Sequence, residues 1–297
     1  MFSDWAVWDL TDYREMLIEV TVASGLFTLL QSNDTEEIRE PFDQNTTRRV
    51  LEALRALGVV EERPDGGHRW IGPMPDTRSL CRWGAARRWL GLAERMCHAA
   101  PLSAPDTVVS PFLVDTAPVL AEWMRQVIAP KPGIRWLDVG GGQGTWAQCL
   151  WQAGVEVTLA EQPGVCPPHL RRGGLHVWEG DIFRQLPDSG PFDGISLVRF
   201  IEDWSVSQLE ELLSRLAQCL ADSGTLYVVG YFRDRTHWAA LFDVNVMVSS
   251  RAGVTYEVES LKQIAASAGL QLTTIIDANF DTYTLMGFQK MPGGASQ

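Results

Sequence analysis

The sequence predicts an α/β chain in which a mostly parallel sheet, with helices on both faces, follows a smaller and mainly helical region. Three observations predict it. From Ile134 to about Gln289 short β-rich runs alternate with helical segments, the pattern of successive βαβ units. One of those runs ends in an acidic residue and then a glycine-rich turn. Ahead of Pro130 the chain carries helix, helix and hairpin signals in succession. At 297 residues with 45% hydrophobic content, the chain holds one large domain plus a companion and can bury a core.

The elements follow from local pattern. From Trp8 to about Leu30 the apolar residues Leu10, Tyr13, Met16, Leu17, Val20 and Val22 recur at helical spacing, with Gly25 as a stop. A second helical stretch runs from Asp34 to Glu40. The hydroxyls of Thr46 and Thr47 are then placed to cap a helix carrying Val50, Leu51, Leu54 and Leu57 on one face. Val59 to Glu62, the turn Pro64-Asp65-Gly66-Gly67 and His68 to Ile71 read as a hairpin, because a glycine pair supplies positive φ. This is a winged-helix pattern. Helices are expected again at Leu80 to Cys97 and Thr116 to Val127, separated by the loop Pro101 to Pro105. Strands are expected at Arg135–Val139, Glu156–Ala160, His176–Glu179, Gly194–Val198 and Thr225–Tyr231. The late runs Leu272–Ile276 and Tyr283–Gln289 are placed to form an antiparallel pair at one edge. Three segments result: 1–75, winged-helix-like; 76–129, a helical linker; and 130–297, the sheet domain.

Composition narrows the function classes. There are 37 acidic residues against 25 basic ones, a net charge of −12, so a nucleic-acid backbone is repelled. Arg48, Arg49 and Arg55 on the candidate groove-reading helix are a modest basic set beside Glu52. The five cysteines lack CxxC spacing, which argues against a disulfide framework and a zinc site and for a reducing cytoplasm. The start Met1-Phe2-Ser3-Asp4-Trp5 lacks the features of a signal peptide, and no apolar run is long enough for a membrane span.

The most informative stretch is Trp136-Leu137-Asp138-Val139-Gly140-Gly141-Gly142-Gln143-Gly144, an apolar strand running into a glycine turn and a helix. Glycines let backbone N–H groups approach a ligand, and the helix N-terminus favours negative charge. The dinucleotide fingerprint G-x-G-x-x-G needs glycine where Thr145 stands, whereas Gly140, Gly142 and Gly144 fit G-x-G-x-G, which points from NAD toward S-adenosylmethionine. The second strand ends at Glu161, where a carboxylate can accept both ribose hydroxyls of a nucleoside. The third ends in Glu179-Gly180-Asp181-Ile182-Phe183, in which Asp181 is suited to the adenine amino group and Ile182 and Phe183 to its faces. Taken singly, Glu161 reads equally as a surface carboxylate and Asp181 as a helix cap. Three consecutive strand ends suited to one adenosyl ligand favour the binding reading.

Together with Leu197-Val198-Arg199-Phe200-Ile201-Glu202-Asp203-Trp204-Ser205, these motifs resemble the S-adenosylmethionine-dependent small-molecule O-methyltransferases of plants and bacterial natural-product pathways. The resemblance extends over most of the chain. It implies a Rossmann-like class I methyltransferase domain with a mostly parallel seven-stranded sheet, and an N-terminal winged-helix dimerisation domain carrying Gly25-Leu26-Phe27. It implies S-adenosyl-L-methionine as cofactor, a small aromatic or polyketide-like acceptor and a homodimer, with no metal. It places Asp138, Gly140, Gly142, Glu161, Asp181, Ile182, Phe183 and Arg199 around the cofactor. The segment Phe242 to Val248 resembles the helix beside the acceptor pocket, so Trp238 and Asn245 there, and His98 on the linker helices, are substrate-binding candidates.

The catalytic position departs from the family. Members that methylate phenols carry His-Asp-Trp, and the histidine takes the acceptor's proton; this chain has Glu202-Asp203-Trp204. A carboxylate of ordinary pKa is a poor base for a phenol at about 10 unless burial raises it. Glu202 therefore reads as a base with a raised pKa, as an anchor for a cationic or hydroxylated substrate, or as a residue the reaction does not need. The segment Arg251 to Tyr256 lacks the family's second acidic residue. His237, just after the fifth strand, is a candidate replacement base, while His68, His169 and His176 have no partner suggested by the sequence. Two further readings stand beside O-methylation: a non-methylating use of the sulfonium (cyclisation, hydroxylation or decarboxylation) or methylation of N or C, and a winged-helix regulator that senses a metabolite.

Overall fold

The computed structural model describes residues 14, 17–18, 20–22, 24, 26–31, 43–73, 111–188, 190–235, 237–249, 253–278 and 283–292, with backbone alone at 111–116, 237–238, 245 and 248–249. The elements in chain order are α1 (Leu26–Gln31), α2 (Gln44–Ala56), β1 (Val60–Glu62), β2 (His68–Trp70), α3 (Pro111–Ile128), β3 (Arg135–Val139), α4 (Thr145–Gln152), β4 (Glu156–Glu161), α5 (Pro168–Arg172), β5 (His176–Glu179), β6 (Phe192–Val198), a 3-10 turn (Ile201–Asp203), α6 (Val206–Cys219), β7 (Leu220–Tyr231), α7 (His237–Ser249), α8 (Val258–Ser267), β8 (Leu270–Asp277) and β9 (Tyr283–Lys290). The chain divides into two compact units. One comprises Met1–Asp106, Phe232–Thr255 and Phe280–Thr282; the other comprises Thr107–Tyr231, Tyr256–Asn279 and Tyr283–Gln297.

In the first unit the expected hairpin is present, with Val60 opposite Trp70 and Glu62 opposite His68. Residues 17–18 and 20–22 are helical, and the chain turns at Ser24 before α1 starts a fresh helix at Leu26. The helices expected between Asp34 and Glu40 and from Leu80 to Cys97, and the loop Pro101 to Pro105, lie outside the described residues. The cap of α2 is Asp43, whose Oδ1 accepts the Thr46 N–H at 2.8 Å, and not Thr46 or Thr47. Capping needs a side chain just before the helix, and both threonines lie inside its first turn, buried against the core.

That core is shared by distant segments. Leu17, Val20, Leu26, Leu30, Val50, Leu54 and Val60 pack with Ala240, Leu241, Val244 and Met247 of α7. The helix is apolar on nearly every side, so burial all round is its stable setting. Its carboxylate, Asp243, is 1% exposed and is held by Arg49 of α2, with Nε to Oδ2 at 2.6 Å and Nη2 to Oδ1 at 2.8 Å. The division into units thus differs from the expected segments: 232–255 leaves the 130–297 stretch and joins the N-terminal residues.

The second unit is built on a seven-stranded sheet ordered β5-β4-β3-β6-β7-β9-β8. The first five positions in that order pair in parallel, and β9 runs antiparallel to both neighbours. Every strand expected for this sheet is present, with β4, β6, β7, β8 and β9 longer than expected. The helix expected at Thr116 to Val127 is α3. Instead of belonging to a separate linker it lies in this unit, with Leu120, Ala121 and Met124 buried and the Cys149 Sγ of α4 3.9 Å from the Ala121 carbonyl. The parallel order directs the ends of β3, β4, β5 and β6 to one edge, where such sheets take ligands.

Candidate functional site

The turn after β3 is set by backbone conformation. Gly140, Gly142 and Gly144 all have positive φ, at 66°, 54° and 75°, a region other residues enter at a cost. The Gly140 N–H donates to the Ala160 carbonyl at 2.8 Å, tying the turn to the end of β4. Beneath it lies Asp138, fully buried, whose Oδ1 accepts from Ser196 Oγ at 2.8 Å. Ser196 Oγ in turn accepts from the indole N–H groups of Trp136 at 2.9 Å and Trp146 at 3.2 Å. Burial pushes the Asp138 carboxyl up to about 7, against the Ser196 hydrogen bond, and the Glu161 charge adds to the rise. Asp138 Oδ2 has no hydrogen-bond partner among the described residues.

Glu161 ends β4 with a half-buried side chain. Its Oε2 accepts the Gly142 N–H at 3.0 Å and its Oε1 the Gln162 N–H at 2.7 Å. Each oxygen has one bond and keeps a further lone pair for a donor. After β5, Asp181 folds its own loop: Oδ1 accepts the Phe183 N–H at 3.0 Å and the carbonyl accepts from the N–H groups of Arg184 and Gln185. Its other oxygen lies 3.2 Å from Arg184, a pair too exposed to hold it strongly. Ile182 is 9% exposed, while Phe183 is half-buried.

An aromatic row joins these loops. A Cβ at Gly140 would stand 2.2 Å from the Phe200 ring. The ring centroids of Phe200 and Trp204 are 5.6 Å apart, and those of Trp204 and Phe183 are 4.3 Å apart. The glycine turn, the 181–183 loop and the 3-10 turn holding Glu202 are therefore neighbours. Arg199, at the start of that last segment, takes a φ of 50°, and its N–H donates to the Val229 carbonyl at 2.7 Å. A non-glycine residue held there marks strain that surrounding structure sustains.

Glu202 itself is 4% exposed. It packs on β7, where its Oε1 accepts the Tyr231 N–H at 3.3 Å, and a Cβ at Gly230 would be 2.3 Å from that oxygen. Burial pushes its carboxyl up to about 7. Its Oε2 and the Trp204 indole N–H both lack a partner among the described residues. Tyr256 closes the turn from another side, donating its hydroxyl proton to the Trp204 carbonyl at 2.7 Å; burial and the Glu202 charge push that phenol up to about 12.

The structure thus brings together Asp138, Gly140, Gly142, Glu161, Asp181, Ile182, Phe183, Arg199 and Glu202. His98 lies outside the described residues, and the side chains of His237, Trp238 and Asn245 on α7 are not described. His176 has a partner the sequence did not suggest, with Nδ1 3.0 Å from Thr158 Oγ1 across β4 and β5. Thr255, in the segment lacking the family's second acidic residue, is fully buried, and its N–H donates to Asp243 Oδ1 at 2.7 Å. Trp204, Tyr256 and Ser196 were not among the expected site residues. Trp204 was signalled by its place in the Glu202-Asp203-Trp204 motif, and the other two had no local signal.

Residues 114–275, more than half of the chain, match the methyltransferase domain family. The chain belongs to that family. Solved structures with the fold of this methyltransferase extend over nearly its whole length. One is an O-methyltransferase family 2 protein from Planctomyces limnophilus in complex with apigenin, at a TM-score of 0.64 and 20% identity, covering 95% of this chain and 94% of that one. Another is an O-methyltransferase family protein from Burkholderia thailandensis, at 0.57 and 20% identity, covering 94% and 95%. A third, from neocarzinostatin biosynthesis, was solved with S-adenosyl-L-homocysteine and 1,4-dihydroxy-2-naphthoic acid; it matches at 0.52 and 18% identity, covering 93% and 96%. The fold class expected from the motifs, a mostly parallel seven-stranded sheet of the methyltransferase type following an N-terminal helical region, is the one found. Among the described residues no helix is long and apolar enough to cross a membrane.

Proposed function

We propose that this methyltransferase moves the methyl group of S-adenosyl-L-methionine to an oxygen of a small aromatic acceptor, with Glu202 facing the reacting centre. The residues present suit that cofactor. Glu161 keeps acceptor lone pairs for ribose hydroxyls, and a Cβ at Gly142 would enter open space above the turn, the space a ligand would take. Asp181 and the walls Ile182 and Phe183 lie one strand further along, suited to adenine. When bound, the cofactor supplies an electrophilic methyl on sulfur, and the transfer needs chiefly in-line placement of an acceptor lone pair.

The observation that carries the reading is Glu202: a carboxyl with one buried oxygen free of partners, raised to about 7, on the turn that joins the cofactor loops. A base near 7 lies about three units below a phenol, where an ordinary glutamate lies nearly six below. Burial thus brings this carboxylate into a range where it can take a phenolic proton as methyl transfer proceeds. Arg199 contributes positive charge beside it. The N-terminal unit is read as the dimerisation region, on the resemblance of its Gly25-Leu26-Phe27 and hairpin. The reading places the enzyme in the cytoplasm, consistent with free Cys149, Cys166 and Cys219.

The test pairs product analysis with Glu202→Gln. With a panel of phenolic acceptors, S-adenosyl-L-homocysteine is expected in one-to-one ratio with methylated product. The variant is expected to keep cofactor affinity while losing about 10²-fold or more in turnover, along with the rise in rate through pH 7. Turnover and pH profile unchanged in the variant would remove Glu202 from the chemistry. Acceptor conversion without S-adenosyl-L-homocysteine would instead establish a non-methylating reaction.

A further inference from the structure

We infer that Arg215 is a positioning residue for the adenosyl end of the cofactor site, an inference that rests on the cofactor reading above. Arg215 is on α6, 33 residues beyond the loop it serves, and its Nη1 donates to the Ile182 carbonyl at 3.2 Å and to the Phe183 carbonyl. These are the two residues whose side chains wall the proposed adenine position.

The loop's hydrogen bonding shows why the contact matters. Three of its N–H groups are satisfied from within, because Asp181 takes the N–H of Phe183 on its carboxylate and those of Arg184 and Gln185 on its carbonyl. Among the described residues the carbonyls of Ile182 and Phe183 have no such local donor, and Arg215 supplies one to both. Its guanidinium has no carboxylate partner among the described residues, so its charge is directed at backbone oxygen. Nη1 carries two N–H groups fixed in the guanidinium plane, so this one nitrogen holds two adjacent carbonyls in one geometry, which a lysine's freely rotating ammonium does less well.

The helix that carries Arg215 is itself anchored at the Glu202 turn. Ser205, the residue after Trp204, caps α6 with a capping box completed by Gln208. Trp204 in turn lies against Phe183. One rigid element, α6, therefore grips the 181–183 loop through Arg215 while its N-terminus is fixed to the turn holding Glu202. The adenosyl site and the proposed base are thereby set in register.

The experiment measures binding of S-adenosyl-L-homocysteine by titration calorimetry, with melting temperatures, for wild type, Arg215→Met, Arg215→Lys and Asp181→Ala. Arg215→Met is expected to weaken binding by about tenfold, with Arg215→Lys between it and wild type. At saturating cofactor, Arg215→Met is expected to keep kcat within a few-fold while its KM for cofactor rises. If Asp181→Ala weakens binding but folded Arg215→Met and Arg215→Lys both bind as wild type, Arg215 has no positioning role and the cofactor reading stands. If Asp181→Ala also binds as wild type, the cofactor reading itself is wrong. A fall in kcat and melting temperature with unchanged affinity would reduce Arg215 to a scaffold residue and overturn the inference. Should Arg215→Met not fold, the Kd of Arg215→Lys decides, with at least threefold weakening expected.

Discussion

Arg49 and Asp243, 194 residues apart in the chain, form a buried two-pronged ion pair inside the N-terminal unit, with Nε to Oδ2 at 2.6 Å and Nη2 to Oδ1 at 2.8 Å. The Arg49 side chain is 6% exposed and that of Asp243 is 1% exposed. Arg49 also donates to the Asp243 carbonyl, and the Thr255 N–H completes the carboxylate's shell. The pair fixes α7 to α2. Removing one member leaves the other charged and buried, which costs about 3–5 kcal/mol. Arg49→Met and Asp243→Leu singly are each expected to lose that much in urea unfolding, while the double variant recovers a large part of it. A double variant as unstable as the sum of the singles would contradict the pairing.

Gly230 makes room for Glu202. A Cβ there would be 2.3 Å from Oε1 and 3.2 Å from the carboxyl carbon, so Gly230→Ala must push the Glu202 side chain off its seat on β7. The expected result is a loss of about 1–3 kcal/mol in stability and at least tenfold in turnover. Wild-type turnover in Gly230→Ala would show that the position of Glu202 does not matter to the reaction.

Two buried carboxyls make stability depend on pH in a defined direction. Glu202 is raised from 4.5 to about 7 and Asp138 from 3.8 to about 7, both chiefly by burial. The folded state binds these protons more tightly than the unfolded chain, so their stabilisation is complete below about pH 4 and is lost as pH rises to about 7. Within that window each contributes a fall of up to about 1.4 kcal/mol per pH unit. Urea midpoints measured from pH 4.5 to 7.5 are expected to show a shallower fall for Glu202→Gln than for wild type. Parallel curves would mean that Glu202 is already charged in the folded protein.

Much of the second unit was legible from local pattern. The strands were bounded by glycines and by β-rich runs, and the glycine turn, Glu161 and Asp181 stood at strand ends whose parallel order brings them to one edge. The environment of Glu202 was not legible in the same way. Its burial depends on Gly230 and Tyr231, which lie on a strand reached only after α6, and no spacing rule links them to the Glu202-Asp203-Trp204 motif. The Asp43 cap was missed for a smaller reason: Asp43, Asn45, Thr46 and Thr47 are all of capping type, and only the start of α2 selects among them.

By itself the sequence determined the strands of the sheet and the kind of ligand edge they make, because strand periods, glycine conformations and strand-end carboxylates act over a few residues. Tertiary structure alone decided that α7 completes the N-terminal core through Asp243, that Arg215 grips the loop of Ile182 and Phe183, and that Glu202 is a buried carboxyl raised to about 7. Each of these depends on desolvation and on partners distant in sequence, and neither is set until the chain has packed.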